Sequence, residues 1–192
     1  IKDKFPALYK GANEHNNSQA TLIGNICNPA PLVDLTSILL VYNAKIKVIR
    51  EGEEIVADLK NYFSGPAKTT LSSEDLIVSV AIPIPESNRK SYFMKDEKKN
   101  EGIGVVNCAV SYLDDGQYIS DMVIALGGVL PIPVFLELDW FDSIDETNLN
   151  RLQRNINEKI SSITDQESND WYKKDVIQLL TRRSIIKARS IK

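Results

Sequence analysis

Two stretches of alternating character, Val105 to Leu113 (VVNCAVSYL) and Tyr118 to Leu126 (YISDMVIAL), stand either side of Asp114-Asp115-Gly116-Gln117. A period of two sends successive side chains to opposite faces of a strand, and a short turn rich in Asp and Gly folds the second run back on the first. The pair predicts an antiparallel meander, and the rest of the chain must pack around that sheet. Ile46, Val48 and Ile55, Ala57 flank an Arg50-Glu51-Gly52-Glu53-Glu54 turn, which predicts a second hairpin. Leu76 to Ile82 (LIVSVAI), ended by Pro83, is a further β-rich run, and Ser91 to Met94 suits a short strand.

Helical spacing lies mostly at the two ends. Phe5, Leu8, Tyr9 and Ala12, with Pro6 in the first turn, predict a short helix. Asp34 followed by Leu35, Ile38, Leu39 and Tyr42 predicts an N-capped helix ending near Asn43, and Leu59, Tyr62 and Phe63 suit a single turn. After Gly127-Gly128 the pattern becomes helical. Asp145 to Ile163 carries Leu149, Leu152, Ile156 and Ile160; Asp170 to Ala188 carries Val176, Leu179, Leu180 and Ile185. Arg182, Arg183, Lys187 and Arg189 gather toward the end of the second, where the helix dipole favours cations. A sheet-rich first part followed by a long helical end is the order of an α+β chain.

Composition narrows the functional classes. The 192 residues, 43% of them hydrophobic, suffice for one domain or two small ones. A net charge of −3 with no Lys/Arg block leaves no electrostatic footprint for nucleic acid. No apolar run approaches the roughly 20 residues of a membrane span. One histidine and two distant cysteines exclude a structural zinc site and a disulfide framework. The chain opens Ile1-Lys2-Asp3-Lys4, with its only methionines at Met94 and Met122, and reads as the inside of a longer one.

Most candidate sites have plain structural readings. His15, in the polar run Asn13 to Gln19, reads as a surface histidine of a loop. Cys27 and Cys108 sit among apolar neighbours, as buried free thiols do. Gly102-Ile103-Gly104 lacks the third glycine of a dinucleotide fingerprint and runs into a strand. Asp139, Asp142, Asp145 and Glu146 read as a solvated helix start, and Lys95 to Lys99 (KDEKK) as an exposed turn. Ala20 to Asp34 (ATLIGNICNPAPLVD) is poor helix and poor strand. It supports two readings: an anion site built of backbone N–H groups, a hydroxyl and side-chain amides, or a structural loop tied by Asx turns.

At that segment the chain resembles the FAD-binding subunits of the molybdenum hydroxylases, the family of xanthine dehydrogenase, aldehyde oxidase and aerobic carbon monoxide dehydrogenase. Their A-T-I-G-G-N-x-x-N-A-S-P-x-x-D-L stretch is similar to Ala20-Thr21-Leu22-Ile23-Gly24-Asn25-Ile26-Cys27-Asn28-Pro29-Ala30-Pro31-Leu32-Val33-Asp34-Leu35. Phe5-Pro6-Ala7-Leu8 resembles the helix preceding it, and Asp75 to Pro83 the family's E-I-L-x-x-I-x-I-P strand. Ile124-Ala125-Leu126-Gly127-Gly128-Val129 with Pro131 and Pro133 is similar to its I-A-L-G-G-V-A-P-x-P. Ile163-Thr164-Asp165, Asp170-Trp171-Tyr172-Lys173 and Leu180-Thr181-Arg182-Arg183 resemble the closing helices. Three positions depart from the pattern: Ile23 replaces a glycine, Ala30 a serine and Asn17 an arginine.

The resemblance implies the second lobe of a two-lobe FAD-binding domain over residues 1–82. A C-terminal domain, an antiparallel sheet with a helical bundle, would follow over 89–192. Thr21, Gly24 and Asn25 would meet the FAD pyrophosphate, Asn28 would add a polar ligand, and Asp34 would lie toward the adenosine half. Ile77 would pack on the isoalloxazine ring, and a lysine, Lys95 after a one-residue shift, would hydrogen-bond it. No catalytic side chain and no metal ligand are implied. The implied role is that of an FAD-dependent oxidoreductase subunit in a cytoplasmic complex. It would take electrons from an iron–sulfur partner and pass them to an acceptor such as NAD, while a molybdopterin-containing partner oxidises the substrate. The glycine-rich loop of the first lobe would come from an amino-terminal part or another chain. The departures leave open an assembly or interaction subunit of the same fold with weakened flavin binding.

Overall fold

The computed structural model describes residues 3–14, 21–27, 34–66, 68–97, 104–161 and 171–191. Three helices come first: α1 (Pro6–Glu14), α2 (Leu22–Cys27) and α3 (Asp34–Val41). Then follow β1 (Lys45–Arg50), β2 (Glu53–Asp58), a single 3-10 turn at Leu59–Asn61, β3 (Phe63–Gly65), β4 (Lys68–Thr69) and β5 (Leu76–Ala81). The second half holds β6 (Arg89–Glu97), β7 (Gly104–Asp114), β8 (Ile119–Gly127), β9 (Val134–Leu138), α4 (Glu146–Ser161) and α5 (Trp171–Ser190).

Both predicted hairpins form. β1 and β2 pair from Lys45↔Asp58 to Arg50↔Glu53, closed by Glu51 and Gly52 at φ of 51° and 85°, the left-handed pair that a tight hairpin turn requires. β5 joins the other edge of β1, giving the order β2-β1-β5. β6 to β9 form a four-stranded antiparallel meander. In its β7–β8 turn the Asp114 and Asp115 carboxylates accept the backbone N–H groups of Gly116, Gln117 and Tyr118.

The meander is covered on both faces, and strand alternation assigns each side chain to one of them. Val106, Cys108, Val110 and Tyr112 of β7, with Met122, Ile124 and Leu126 of β8, pack against Leu149, Leu152, Ile156 and Ile160 of α4 and Ile177, Leu180 and Ile185 of α5. The bundle of the C-terminal half is this pair of helices. On the opposite face Phe93, Ala109, Val123 and Ala125 join a second core containing Ala7, Ile38, Leu39, Ile46, Val48 and Ile77. Ala109 and Ala125 are cross-strand partners, and their small side chains suit a close approach by α3, which packs over β7 and β8. Nearly every residue of α3 is buried, as expected of a helix enclosed on all sides. It ends at Asn43, whose φ of 52° lets its N–H reach Leu40 O while the Ala44 N–H reaches Leu39 O.

Several expectations change. The segment read as poor helix contains α2, because Thr21 caps it and Ile26 anchors it in the core. Asn13 and Glu14 belong to α1 and not to a loop. Lys95 to Glu97 continue β6 and are not an exposed turn, since β7 pairs with them. Phe63 starts β3. β9 was not expected; it forms because β8 offers it an edge. Cys27 is exposed, unlike Cys108. His15, Asn17, Asn28, Ala30 and Ile163 to Asp170 lie outside the described residues.

Candidate functional site

The polar residues of α2 owe their arrangement to a cap. The Gly24 N–H donates to Thr21 Oγ1 at 3.0 Å, and the Asn25 N–H donates to Thr21 O at 2.9 Å. A Cβ on Gly24 would stand 2.8 Å from Thr21 Oγ1, so a side chain there would push the capping hydroxyl aside. Having accepted one hydrogen bond, the exposed Thr21 hydroxyl still has its own O–H to donate. Asn25 is the anomaly: its Oδ1 is buried and has no hydrogen-bond partner. An orphaned buried acceptor of this kind costs about 1–3 kcal/mol unless something satisfies it. Leu22 and Ile23 are half-buried against the first-half core, so the isoleucine at the glycine position contributes packing.

α2 packs on α3 and on β5. β5 carries Ile77, which is 6% exposed and lies opposite Val48 of β1 in that same core. Ile77 thus shares its core with Leu22, Ile23 and Ile26 on the apolar side of α2.

A second polar group lies between α3 and the meander. Lys95 of β6, Asn107 of β7 and Gly127 of β8 are successive cross-strand partners and form one row. Asp34 and Ser37, three residues apart on α3, share the helix face above it. Lys95 Nζ donates to Asp34 Oδ2 at 3.2 Å, and Asn107 Nδ2 donates to Asp34 Oδ1 at 2.9 Å. The Ser37 hydroxyl donates to Asn107 Oδ1 at 2.7 Å. The side chains of Asp34 and Lys95 are each 8% exposed. A charge pair this deep is tolerated only when further hydrogen bonds satisfy it, which the Asn107 amide does for the carboxylate. Asp34, expected as a helix cap, is the first residue of α3 and places its carboxylate on the sheet.

The two glycines after β8 answer different needs. A Cβ on Gly127 would fall 2.5 Å from Asn107 Oδ1, so the first makes room for the amide. Gly128 has φ of 79°, so the second turns the chain. Sequence reasoning singled out neither Asn107 nor Ser37. The trace was a polar residue in a mostly apolar strand, and its meaning depends on a register spanning twenty residues.

The remaining candidates stay structural. Burial pushes the Cys108 thiol up to about 12, which keeps it protonated and unreactive. Asp145 Oδ1 accepts the Asn148 N–H at 2.8 Å, Asp142 Oδ1 accepts the Asn148 amide, and Glu146 pairs with Arg182. Those carboxylates organise the start of α4. Among the described residues no group of three or more His, Cys, Asp or Glu could hold a metal ion, and no helix is long and apolar enough to cross a membrane.

Residues 4–85 match the family described as the FAD binding domain in molybdopterin dehydrogenase. The chain is 28% identical over 141 residues to the xanthine dehydrogenase FAD-binding subunit of Escherichia coli O157:H7, covering 68% of this chain and 47% of that subunit. It is 27% identical over 129 residues to a nicotinate hydroxylase of Emericella nidulans, covering 64% of this chain and 10% of that enzyme. The chain thus spans under half the length of these relatives. Carbon monoxide dehydrogenase from Oligotropha carboxidovorans has the same fold, with a TM-score of 0.85 at 18% identity over 98% of this chain and 69% of that one. Quinoline 2-oxidoreductase from Pseudomonas putida 86 superposes with a TM-score of 0.79 at 17% identity, over 98% of this chain and 68% of that one.

Proposed function

We propose, from the premise that this chain belongs to the FAD-binding family of the molybdenum hydroxylases, that it holds FAD as part of an electron-transfer subunit. Residues 1–82 would be the second lobe around the cofactor and residues 89–192 the C-terminal domain. The observation that carries the reading is the buried, unpartnered Asn25 Oδ1, on the helix whose residues resemble the segment proposed to meet the pyrophosphate. The residues there fit the cofactor. The Thr21 O–H is a donor for a phosphate oxygen, and Gly24 keeps the approach to the helix start free of a side chain. The Asn25 amide can satisfy a ribityl hydroxyl or, with its two ends exchanged, a phosphate oxygen. Asn28 and Asp34 would add polar contacts, and Ile77 an apolar wall for the ring.

Lys95 would offer its ammonium to the flavin, and its pairing with Asp34 would keep that donor in place. When bound, FAD supplies the capacity to take up and release electrons, and the protein supplies binding, orientation and electrostatics. The electrons would arrive from an iron–sulfur partner and leave to an acceptor such as NAD, with substrate oxidation on a molybdopterin-containing partner in the cytoplasm. The first-lobe glycine-rich loop would be contributed in cis or in trans.

The test is the flavin absorbance of the complex containing this chain, with and without Gly24→Val. The added side chain displaces the Thr21 cap and blocks the pyrophosphate. Flavin content should fall severalfold while the circular dichroism of the folded protein is retained. Unchanged flavin in the variant would mean that the segment does another job. A wild-type complex that stays colourless with added FAD would leave the fold as an assembly module.

A further inference from the structure

We propose that Asn107 is a positioning residue of the flavin site, holding the Asp34 carboxylate so that Lys95 is presented to the cofactor. The proposal rests on the reading of Lys95 and Asp34 as flavin-side residues and goes beyond it, since Asn107 matches no ligand position.

Three features of the buried row carry it. First, the orientation of the amide is determined: the Asp34 carboxylate can only accept, so the Asn107 nitrogen must face it, and Oδ1 is left to accept the Ser37 hydroxyl. Second, that nitrogen takes only one carboxylate oxygen, Oδ1, and leaves Oδ2 for Lys95. Without the amide, both oxygens could turn to the ammonium and draw it from any second partner. Third, room for the amide is reserved across the strand pair, where every residue except glycine would collide with it. Asn107 is 1% exposed, and a buried amide held between a hydroxyl and a carboxylate allows little drift. Among the described residues, the groups paired or hydrogen-bonded with it are Lys95 from β6, Gly127 from β8, and Asp34 and Ser37 from α3; the charged ones are Asp34 and Lys95.

The test uses Asn107→Asp in the complex that contains this chain. The variant has the same shape, but when ionised it sets a second carboxylate against Asp34, and when protonated it regains a donor. Two carboxylates sharing one site resist joint ionisation, so the variant acquires a titration that the wild type lacks. The FAD dissociation constant, read from flavin fluorescence, should rise about tenfold between about pH 6 and about pH 8 in the variant, and the visible band of bound flavin should shift over the same interval. The wild type should stay flat in both. Ser37→Ala, which removes the donor that holds the amide oxygen, should weaken FAD severalfold at every pH without adding a titration.

A folded Asn107→Asp complex with the wild-type pH profile overturns the proposal. So does loss of fold in parallel with loss of flavin, which assigns Asn107 to stability alone. If Asn107→Asp yields no folded complex, Ser37→Ala decides: unchanged FAD affinity and spectrum overturn the proposal. A wild-type complex that takes up no FAD overturns the flavin reading itself, and is distinguished from the other outcomes because it needs no variant.

Discussion

Replacing Gly127 with alanine adds one methyl group at a point where the cross-strand amide already sits. The new Cβ would lie 2.5 Å from Asn107 Oδ1, 2.8 Å from Nδ2 and 2.9 Å from Cγ, all inside van der Waals contact. The amide has no free direction of retreat, because Ser37 holds its oxygen and Asp34 its nitrogen. Moving it sacrifices one neutral hydrogen bond, about 1 kcal/mol, and one to a carboxylate, about 2 kcal/mol. Residual crowding in a close-packed region adds about 1 kcal/mol. The sum is about 4 kcal/mol, a large share of a typical folding free energy of about 5–15 kcal/mol. At about 2–4 °C per kcal/mol for a chain of this size, the melting midpoint should drop by about 12 °C. Urea unfolding followed by circular dichroism measures the free energy, and a double-mutant cycle with Asn107→Ala isolates its cause. With the amide removed, the methyl group has space, so the double variant should be at least about 1 kcal/mol more stable than additivity predicts. Gly127→Ala as stable as the wild type, or effects additive within about 0.5 kcal/mol, would refute the reasoning.

Two further outcomes follow from the polar and thiol groups. The Arg50 guanidinium grips Asp75 with two hydrogen bonds of 2.8 and 2.7 Å, and the Ser72 N–H adds another, so the carboxyl is held well below its ordinary 3.8. A carboxyl depressed in the folded state contributes stability above its unfolded value and loses it as the pH falls through the folded one. The stability gap between wild type and Asp75→Asn should therefore be full at neutral pH and shrink progressively below 3.8; an equal gap at neutral and strongly acid pH contradicts this. Thiol labelling at mildly alkaline pH should modify the exposed Cys27 quickly and Cys108 only on unfolding, since burial has pushed the Cys108 thiol up to about 12. Equal labelling rates in the folded protein would rule out the buried placement.

The parts of the fold legible from sequence are those whose signals are local. Glu51-Gly52 and Asp114 to Gln117 are turns by their own chemistry, and the strands they join alternate within a few residues. α2 was not legible because a six-residue helix has little propensity of its own. It exists through the Thr21 cap, Ile26 in the core and contacts to α3 and β5. β9 was missed because Val134 to Leu138 becomes a strand only when the β8 edge lies beside it. The candidate site divides in the same way. Thr21, Gly24 and Asn25 are neighbours in the chain, so a contiguous motif proposes them together. The row of Lys95, Asn107 and Gly127 is contiguous only in the sheet, and α3 closes over it from more than sixty residues upstream. No local pattern could pair a polar residue in an apolar strand with the first glycine of a distant pair.

β7 is read from both sides at once. A slip of one residue along β8 would turn Val106, Cys108, Val110 and Tyr112 toward α3 and deliver Asn107, Ala109 and Ser111 to α4 and α5. Both cores would lose their contacts together, and the Asn107 amide would leave Asp34 in the same step. The helices α4 and α5, packed on the face of β7 opposite the polar row, therefore act as its alignment jig. By seating the even-numbered side chains of β7, they set where the odd-numbered ones stand.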